Sequence, residues 1–318
     1  MKLAAVAMVR NESDIIESFV RHNLRWVDRL YVIDHDSADA TPAIIDALKA
    51  EGLPLESGKD PAVGFRQADR LTQLARHVLA NDGADFVFVL DADEFIRAPS
   101  RAALEAQLEA TRNAPSRVAR WQVHIAADDA SGTPLERLRL RVEAAGVPAM
   151  AKVILGREFL ADPRLSLAPG NHWILEPDGR ERAPVVLPET FLAHLPFRSP
   201  QQFLAKVING WLAYKLAHGG SAANATSINW HWRTLYEEWL AGREFTAADL
   251  RELAIQWYVT VPVPGAAARE RPDLQLREDA LEPVDLRYTR SDTDALRSLA
   301  RWAGNLVESV QPASTERR

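Results

Sequence analysis

The 318-residue sequence contains no cysteine. This absence excludes disulfide bonds, thiolate nucleophiles and zinc sites built on cysteine, and it agrees with a reducing compartment. The sequence also lacks any apolar run approaching the ~20 residues that a transmembrane helix requires. The apolar stretch Leu3–Val9 is short and is followed at once by Arg10, so it predicts a buried first strand rather than a signal peptide. We therefore expect a cytoplasmic protein, either free or peripheral to a membrane.

An excess of basic residues is absent as well. The formal net charge is −6, so the chain lacks the positive surface that nucleic acids and anionic lipids require. Nucleic acid is therefore not an expected partner. A substrate that carries phosphates would meet an acidic protein, and we expect a cation to mediate between the two.

The first hundred residues alternate between strand-like and helical patterns. Continuous apolar runs, typical of strands covered on both faces, occur at 3–9, 30–33, 53–55 and 86–90. Helical spacing separates these runs, and Thr41 before Pro42 is typical of an N-cap followed by the first helical residue. The alternation predicts an α/β fold, doubly wound around a mostly parallel sheet. We expect this domain at 1–205, a helical C-terminal region at 206–310 and a disordered tail at 311–318.

Polar residues follow three of the predicted strands at the point where each strand ends. They are Arg10, Asn11 and Glu12 after the first strand, Asp34, Asp36 and Asp39 after the second, and Asp91, Asp93 and Glu94 after the strand at 86–90. In open α/β sheets, ligands bind beyond the carboxyl ends of the strands. Because these three clusters share one sheet edge, the sequence predicts a ligand site there.

The spacing of Asp91 and Asp93 has a direct physical meaning. In an extended segment, residues two apart point the same way, so both carboxylates can face one cation. Hard oxygen ligands suit Mg²⁺ or Mn²⁺, and a metal held there would bridge a diphosphate. Alone, an Asp-x-Asp triplet is more typical of a turn at a strand end. Its place beside two other acidic clusters favours the metal interpretation.

Two further features allow more than one interpretation. The carboxylates of the loop at 34–41 could accept hydrogen bonds from a nucleoside, and the loop also serves to start the next helix. Arg66 precedes the third predicted helix, whose N-terminus could hold an anion, although a solvated arginine is an equally good interpretation.

Three segments, at 8–12, 34–41 and 89–95, resemble the bacterial family 2-like glycosyltransferases. A second patch, Gly170-Asn171-His172 and then His194–Ser199 with Phe203 and Lys206, resembles the same branch. The resemblance implies a GT-A fold whose nucleotide-sugar domain is the segment 1–205. It also implies a UDP- or GDP-sugar donor, a glycan or other hydroxyl acceptor, divalent Mn²⁺ or Mg²⁺, and transfer with inversion.

The resemblance also gives individual positions a role. Glu12 and Asp39 would contact the nucleoside, Asp91 the ribose or the metal, and Asp93 the metal and the diphosphate. His172 would be a further metal ligand or a diphosphate contact, whereas without the resemblance it is interpreted as an ordinary structural histidine.

The general base stays open at this stage. Many inverting members of the family carry the base on a Glu-Asp pair, and no clear pair occurs at the corresponding place in this sequence, where Asp128-Asp129 is the nearest acidic pair. Asp129 and His194 are the candidates, although Asp129 is also typical of a turn. Two other functions compete with the glycosyltransferase. A nucleotidyltransferase would open with a glycine-rich basic loop, which the segment 10–13 lacks, and a non-catalytic nucleotide- or glycan-binding protein could keep the fold without the base.

Overall fold

The structure, a computed structural model, describes residues 1–62, 66–127, 131–144, 150–217, 230–258, 274–290 and 295–310. Its strands are β1 (Leu3–Val9), β2 (Arg29–Asp34), β3 (Leu55–Lys59), β4 (Phe86–Leu90), β5 (Glu94–Arg97), β6 (Arg117–Ile125), β7 (Leu140–Ala144), β8 (Ala151–Gly156), β9 (Ser166–Leu167), β10 (Ile174–Leu175), β11 (Val185–His194) and β12 (Leu274–Glu278). Its helices are α1 (Ile16–Asn23), α2 (Thr41–Ala50), α3 (Gln67–Asn81), α4 (Arg101–Ala110), α5 (Pro134–Arg137), α6 (Pro200–Ala217), α7 (Trp230–Leu240), α8 (Ala247–Tyr258) and α9 (Ala295–Val310). Short 3₁₀ turns occupy Arg157–Leu160 and Pro169–Asn171.

One large sheet organises the described residues. Its strands run in the order β12-β7-β6-β8-β4-β1-β2-β3, and β11 pairs with both β5 and β6. The half formed by β4, β1, β2 and β3 is parallel throughout. Beyond β4 the sheet becomes mixed, since β8 runs antiparallel to β4 and β6 while β11 runs parallel to β6. The predicted α/β class is confirmed, and the parallel arrangement lies in the half that the alternating pattern covers.

The alternating side chains of β1 separate two layers of core. Leu3, Ala5, Ala7 and Val9 pack with the layer that contains α1, α2 and α4. The residues between them pack with the layer on the other face, which contains α3. All seven residues of β1 are buried, because helices cover both faces of the sheet and period-two side chains alternate between them.

A third core belongs to the C-terminal helices. Phe203 and Val207 of α6 pack with Leu253 of α8 and with Val123 of β6, so this core adjoins the sheet. The predicted division at residue 205 falls within α6, and the division itself stays a prediction. The predicted tail at 311–318 lies outside the described residues. In the part of the chain that the structure describes, no helix is both long enough and apolar enough to cross a membrane.

The start of α2 differs from the expected N-cap. The helix begins at Thr41, after Ala40, so the N-cap position is held by Ala40, which makes no side-chain capping hydrogen bond. The hydroxyl of Thr41 instead accepts a hydrogen bond from the backbone N–H of Glu12 at 2.8 Å. The prediction of Thr41 as the cap is therefore wrong. The residue joins the loop after β1 to the loop after β2.

The buried, neutral side chain of His22 predicts that the folded protein loses stability at acidic pH. On α1, the Nε2–H of His22 donates to the carbonyl of Ile96 at 2.8 Å, and burial lowers the pKa of His22 from 6.5 to about 4. A lowered pKa in the folded state contributes stability above pH 6.5 that is lost as the pH falls towards 4. The wild-type protein should lose unfolding free energy between pH 7 and pH 5, and His22 should account for about 2 kcal/mol of that loss. The His22→Gln variant should therefore lose about 2 kcal/mol less over the same interval. Urea unfolding at the two pH values measures this. The matched control is His77→Gln, at an exposed position of α3, and an equally steep pH dependence in the His22 and His77 variants would contradict the assignment.

Candidate functional site

The loops after β1 and β2 are joined by side chain to backbone hydrogen bonds. The N–H of Asn11 donates to the hydroxyl of Ser37 at 2.9 Å, and the N–H of Ala38 donates to the amide oxygen of Asn11 at 2.8 Å. The carboxylate of Asp39 accepts from the N–H of Ser13 at 3.0 Å and from that of Thr41 at 2.8 Å. These contacts fix the edge of the sheet. They also occupy the carboxylate of Asp39, whose predicted contact with a nucleoside stays a prediction.

Two other acids of the second loop differ in exposure. Asp36 is exposed and adopts φ 52°, a left-handed conformation. Asp34 is buried, and burial raises its pKa. One oxygen of Asp34 accepts from the N–H of Ser37 at 3.4 Å, whereas Oδ1 has no hydrogen-bond partner among the described residues. A buried acceptor without a hydrogen-bond partner costs free energy of folding, so Oδ1 is suited to accept a hydrogen bond from a ligand.

Asp91 and Glu94, at the turn between β4 and β5, accept hydrogen bonds from buried groups. The Asp91 carboxylate, one-third exposed, accepts from Lys152 Nζ at 2.5 Å and from Gln67 Nε2 at 2.8 Å. Glu94 is fully buried, and it accepts from the indole N–H of Trp121 and from the backbone N–H of Asp91. Burial raises the pKa of Glu94 well above its usual range, although Lys152 lies 3.6 Å away.

Asp93 lies deeper than Asp91 and has different partners. Its Oδ2 accepts from Lys206 Nζ at 2.7 Å, and Oδ1 lies 3.7 Å from His194 Nε2. Burial alone would raise the pKa of Asp93, but Lys206 and the neighbouring His194 and Arg198 hold the pKa well below its usual range. Asp93 is therefore ionised at neutral pH. Its charge is balanced by cations of the protein.

A buried arginine connects this turn to the loop after β1. Arg198 donates to both oxygens of Asp14, at 2.7 and 2.9 Å, and also pairs with Glu12. Its Nη1 lies 4.0 Å from Asp93. Burial alone would lower the pKa of Arg198, but Asp14 and Glu12 more than offset this and raise it. Burial, with Asp93 and Asp14 nearby, raises the pKa of Glu12 to about 7 against the effect of Arg198.

Two histidines pack on the ring of Trp121. His194 stacks on it with centroids 4.1 Å apart, and His172 meets it edge to face at 5.2 Å. The Nδ1–H of His172 donates to the carbonyl of Ala151 at 2.7 Å. Burial lowers the pKa of His172 to about 4 and that of His194 to about 3. Both rings are therefore neutral at pH 7, and their proposed roles in binding or base catalysis stay predictions.

The sequence prediction did not include Lys152 and Arg198 among the site residues, although both are central. Lys152 is the one cation in the apolar strand Ala151–Gly156, and a buried lysine requires a carboxylate partner. That pattern could have identified Lys152. Arg66 is exposed at the start of α3, and Asp129 lies outside the described residues.

The predicted metal can be tested against these contacts. In the described part of the chain, no three His, Asp or Glu side chains lie together as metal ligands. Each carboxylate of the triplet is paired with a lysine at ion-pair distance, Asp91 with Lys152 and Asp93 with Lys206. An ammonium group of the protein therefore lies at ion-pair distance from each of the two carboxylates. These residues do not fit a preformed divalent metal site.

A cavity of about 210 Å³ lies beside this charged network. The loop after β1 lines one side with Arg10, Asn11 and Glu12, and helix α6 lines the other with Gln202, Lys206 and Tyr214. Trp232 of α7 closes part of the wall. The cavity thus combines aromatic and amide surface with the charges of Arg10, Glu12 and Lys206.

No family model and no curated protein matches the sequence. Three of the solved structures that match are described here. A mannosyltransferase from Pyrobaculum calidifontis, in complex with GDP-Man and Mn²⁺, is 15% identical over 98% of this chain and 88% of its own, with a TM-score of 0.36. S. aureus TarS is 16% identical over 81% of this chain and 46% of its own, with a TM-score of 0.35. Glucosyl-3-phosphoglycerate synthase from Mycobacterium tuberculosis, in complex with Mn²⁺, UDP and its product, is 19% identical over 38% and 44%, with a TM-score of 0.26.

The alignment spans about half of the length of TarS and of the synthase. At these identities the likeness concerns the fold alone.

Removal of the central arginine is expected to destabilise the protein strongly. Arg198→Met would leave Asp14 and Glu12 buried without their cation, and breaking a buried pair from one side costs about 3–5 kcal/mol. Arg198→Lys keeps the charge but loses the two-pronged contact, so we expect a smaller loss. The control is Arg164→Met, which breaks an exposed pair with Asp162 and should cost less than about 1 kcal/mol. Urea titration measures the unfolding free energy of each variant. Similar losses in the Arg198→Met and Arg164→Met variants would show that the ion pairs of Arg198 contribute little to stability.

Gly170 is expected to be constrained by the ring of His172 as well as by its backbone. Gly170 and Gly179 both have positive φ, at 78° and 82°. A Cβ on Gly170 would lie 2.8 Å from the His172 ring, whereas a Cβ on Gly179 would meet nothing within 4 Å. Both alanine variants carry the backbone strain, so their difference reports the ring contact. We expect Gly170→Ala to lose about 1 kcal/mol more than Gly179→Ala in unfolding free energy. Equal losses would mean that the ring moves aside without cost.

Proposed function

We propose that this chain is a glycosyltransferase that moves a sugar from a nucleotide-sugar donor to an acceptor hydroxyl. The observation that carries the proposal is the cavity at the carboxyl edge of the parallel strands, bordered by Arg10, Glu12 and Lys206. This edge is where open α/β sheets bind nucleotides. The motif resemblance at 8–12, 34–41 and 89–95 selects sugar transfer among the nucleotide-dependent reactions.

The donor would bind across the loops after β1 and β2. The buried Oδ1 of Asp34, which has no hydrogen-bond partner among the described residues, is suited to accept from a ribose hydroxyl or a base N–H. The exposed Asp36 and the amide of Asn11 lie on the same loops. A volume of about 210 Å³ accommodates part of a nucleotide sugar, and the remainder would extend along the open edge of the sheet.

The reaction is a single displacement. The acceptor oxygen forms a bond to the anomeric carbon while the bond from that carbon to the diphosphate breaks. The bonding electrons leave with the nucleoside diphosphate, and the acceptor proton passes to a base. Inversion follows from one displacement. Positioning of the two substrates supplies much of the rate.

The identity of the base is part of the proposal. Glu12 lines the cavity and has a pKa of about 7, so it can take up a proton near neutral pH. His194, the candidate from the sequence, is buried against Trp121 and is a weaker candidate in this arrangement.

The sequence motifs imply a divalent metal, Mn²⁺ or Mg²⁺. The proposed reaction includes it only on that ground. Asp91, one-third exposed, is the member of the triplet best placed to meet a cation from solvent. Because the lysine pairs do not fit a preformed metal site, no step of the reaction is assigned to a metal. The cytoplasmic location also stays a prediction.

One observation favours a second candidate function. His194, one of the two candidate bases, is buried and has a pKa of about 3, so it would not accept a proton from an acceptor at neutral pH. A nucleotide-binding protein without transferase activity would need no base. Turnover distinguishes the two functions, because a pure binding protein releases no nucleoside diphosphate from the donor.

The proposal predicts specific thermal stabilisation by donor nucleotides. We expect UDP or GDP, and the corresponding nucleotide sugars, to raise the Tm at concentrations well above their Kd. A ligand at 100 times its Kd stabilises by about 2.7 kcal/mol. Asp91→Asn should reduce this shift, because Asp91 follows β4 at the sheet edge, whereas Asp178→Asn, at an exposed pair that does not line the cavity, should not. Release of nucleoside diphosphate from the stabilising donor is then measured with candidate acceptors.

The outcomes separate the functions. Stabilisation with release supports the transferase, and stabilisation without release under any acceptor supports the binding protein. Absence of stabilisation by every nucleotide, with and without Mn²⁺, would overturn both.

A further inference from the structure

The carboxylates that the sequence assigns to a metal are paired with two lysines of the protein. Lys152 Nζ lies 2.5 Å from Asp91, and Lys206 Nζ lies 2.7 Å from Asp93. The two lysines come from different elements, strand β8 and helix α6. A positive charge of the protein is thus already present beside both Asp91 and Asp93.

The two lysines differ in what they can reach. Lys152 is 1% exposed, donates also to the carbonyl of Gly170 at 2.8 Å, and lies over the ring of Trp121. Its ammonium group is enclosed by the protein. Lys206 is 28% exposed and lines the cavity. Lys206 therefore holds the buried Asp93 and also faces an anion that enters the cavity.

A second cation lines the same cavity. The Nε–H of Arg10 donates to the carbonyl of His35 at 2.6 Å, and its guanidinium lies over the ring of Trp302, 5.7 Å from the centroid. The carbonyl and the ring hold the guanidinium in place at the end of β1. Arg10 and Lys206 thus border the cavity from the sheet edge and from helix α6. A fixed arginine and a lysine are a combination suited to a diphosphate.

We propose that Lys206 and Arg10 bind the diphosphate of the donor and neutralise the charge of the departing nucleoside diphosphate, in the place of the divalent metal that the sequence motifs imply. This inference rests on the proposed function, since it concerns the leaving group of the same reaction. When the bond from the anomeric carbon to the diphosphate oxygen breaks, both electrons stay on that oxygen. Lys206 remains an ammonium group and pairs with the new negative charge. Asp93 positions Lys206 and transfers no proton.

Binding in the absence of metal tests the proposal. The intact chain is treated with EDTA, and isothermal titration calorimetry measures its affinity for UDP, GDP and inorganic pyrophosphate, with and without added Mn²⁺. We expect pyrophosphate and at least one nucleoside diphosphate to bind after EDTA treatment, with affinity that changes less than threefold on addition of Mn²⁺. Lys206→Met should weaken this binding about tenfold or more, and Lys206→Arg should restore part of it.

Controls address the stability of the variants. Lys215→Met changes a lysine on the same helix that lies over Trp211 and is not among the residues lining the cavity, and it should bind pyrophosphate as the wild type does. Lys206→Met removes the partner of a buried carboxylate, so circular dichroism must show that it is folded. Arg10→Met leaves Asp93 paired and gives an independent test, with a similar loss of affinity expected.

Two results would overturn the inference while leaving the proposed function intact. One is nucleoside diphosphate binding that appears only with Mn²⁺. The other is metal-free binding that is unchanged in folded Lys206→Met and in Arg10→Met. Failure of every nucleotide to bind under both conditions would instead overturn the proposed function itself.

Discussion

The buried guanidinium of Arg198 joins three separate parts of the chain. Asp14 and Glu12 follow β1, Asp93 follows β4, and Arg198 itself lies between β11 and α6. The carboxylates of Asp14 and Glu12 share this one guanidinium. In a buried environment two neighbouring carboxylates repel each other strongly, so their positions depend on the cation between them. Arg198 comes two residues before α6, which carries Lys206 and packs on the sheet through Phe203 and Val207. Arg198 itself is not among the residues that line the cavity.

The other buried or half-buried acids near Arg198 are also paired with cations. Lys152 neutralises Asp91 on one side of the turn, and Lys206 neutralises Asp93 on the other. Glu94 has a raised pKa and accepts from Trp121 and from the backbone. Asp91 and Asp93, which look like an open cation site in the sequence, are thus each paired with a lysine in the fold. Asp34 Oδ1 is a buried acceptor without a hydrogen-bond partner among the described residues.

The sheet edge could be predicted from the sequence because its signals are local. Apolar runs identified β1 and β4, and the polar residues after each strand had to meet at one edge of a parallel sheet. The partners of those residues could not be predicted in the same way. Lys152 lies 61 residues from Asp91, and Arg198 lies 184 residues from Asp14, so no sequence spacing relates them. Thr41 fits an N-cap by local pattern, and only the neighbouring loop makes its hydroxyl a partner of Glu12. Sequence reasoning therefore identified the acids and Arg10, but it assigned no role to Lys152, Arg198 or Lys206.

A cation built into the protein differs from a bound metal in charge as well as in permanence. One divalent ion carries two positive charges at a single point, whereas each side chain carries one. Lys206 and Arg10 are the two cationic side chains that line the cavity, and Lys206 shares its charge with Asp93. Their geometry is fixed before the ligand arrives, Lys206 by Asp93 and Arg10 by the carbonyl of His35. Such preorganisation removes the cost of reorienting charge as the bond breaks. It also explains why a buried acid is retained beside Lys206, since Asp93 holds the ammonium at the position where the diphosphate charge would develop.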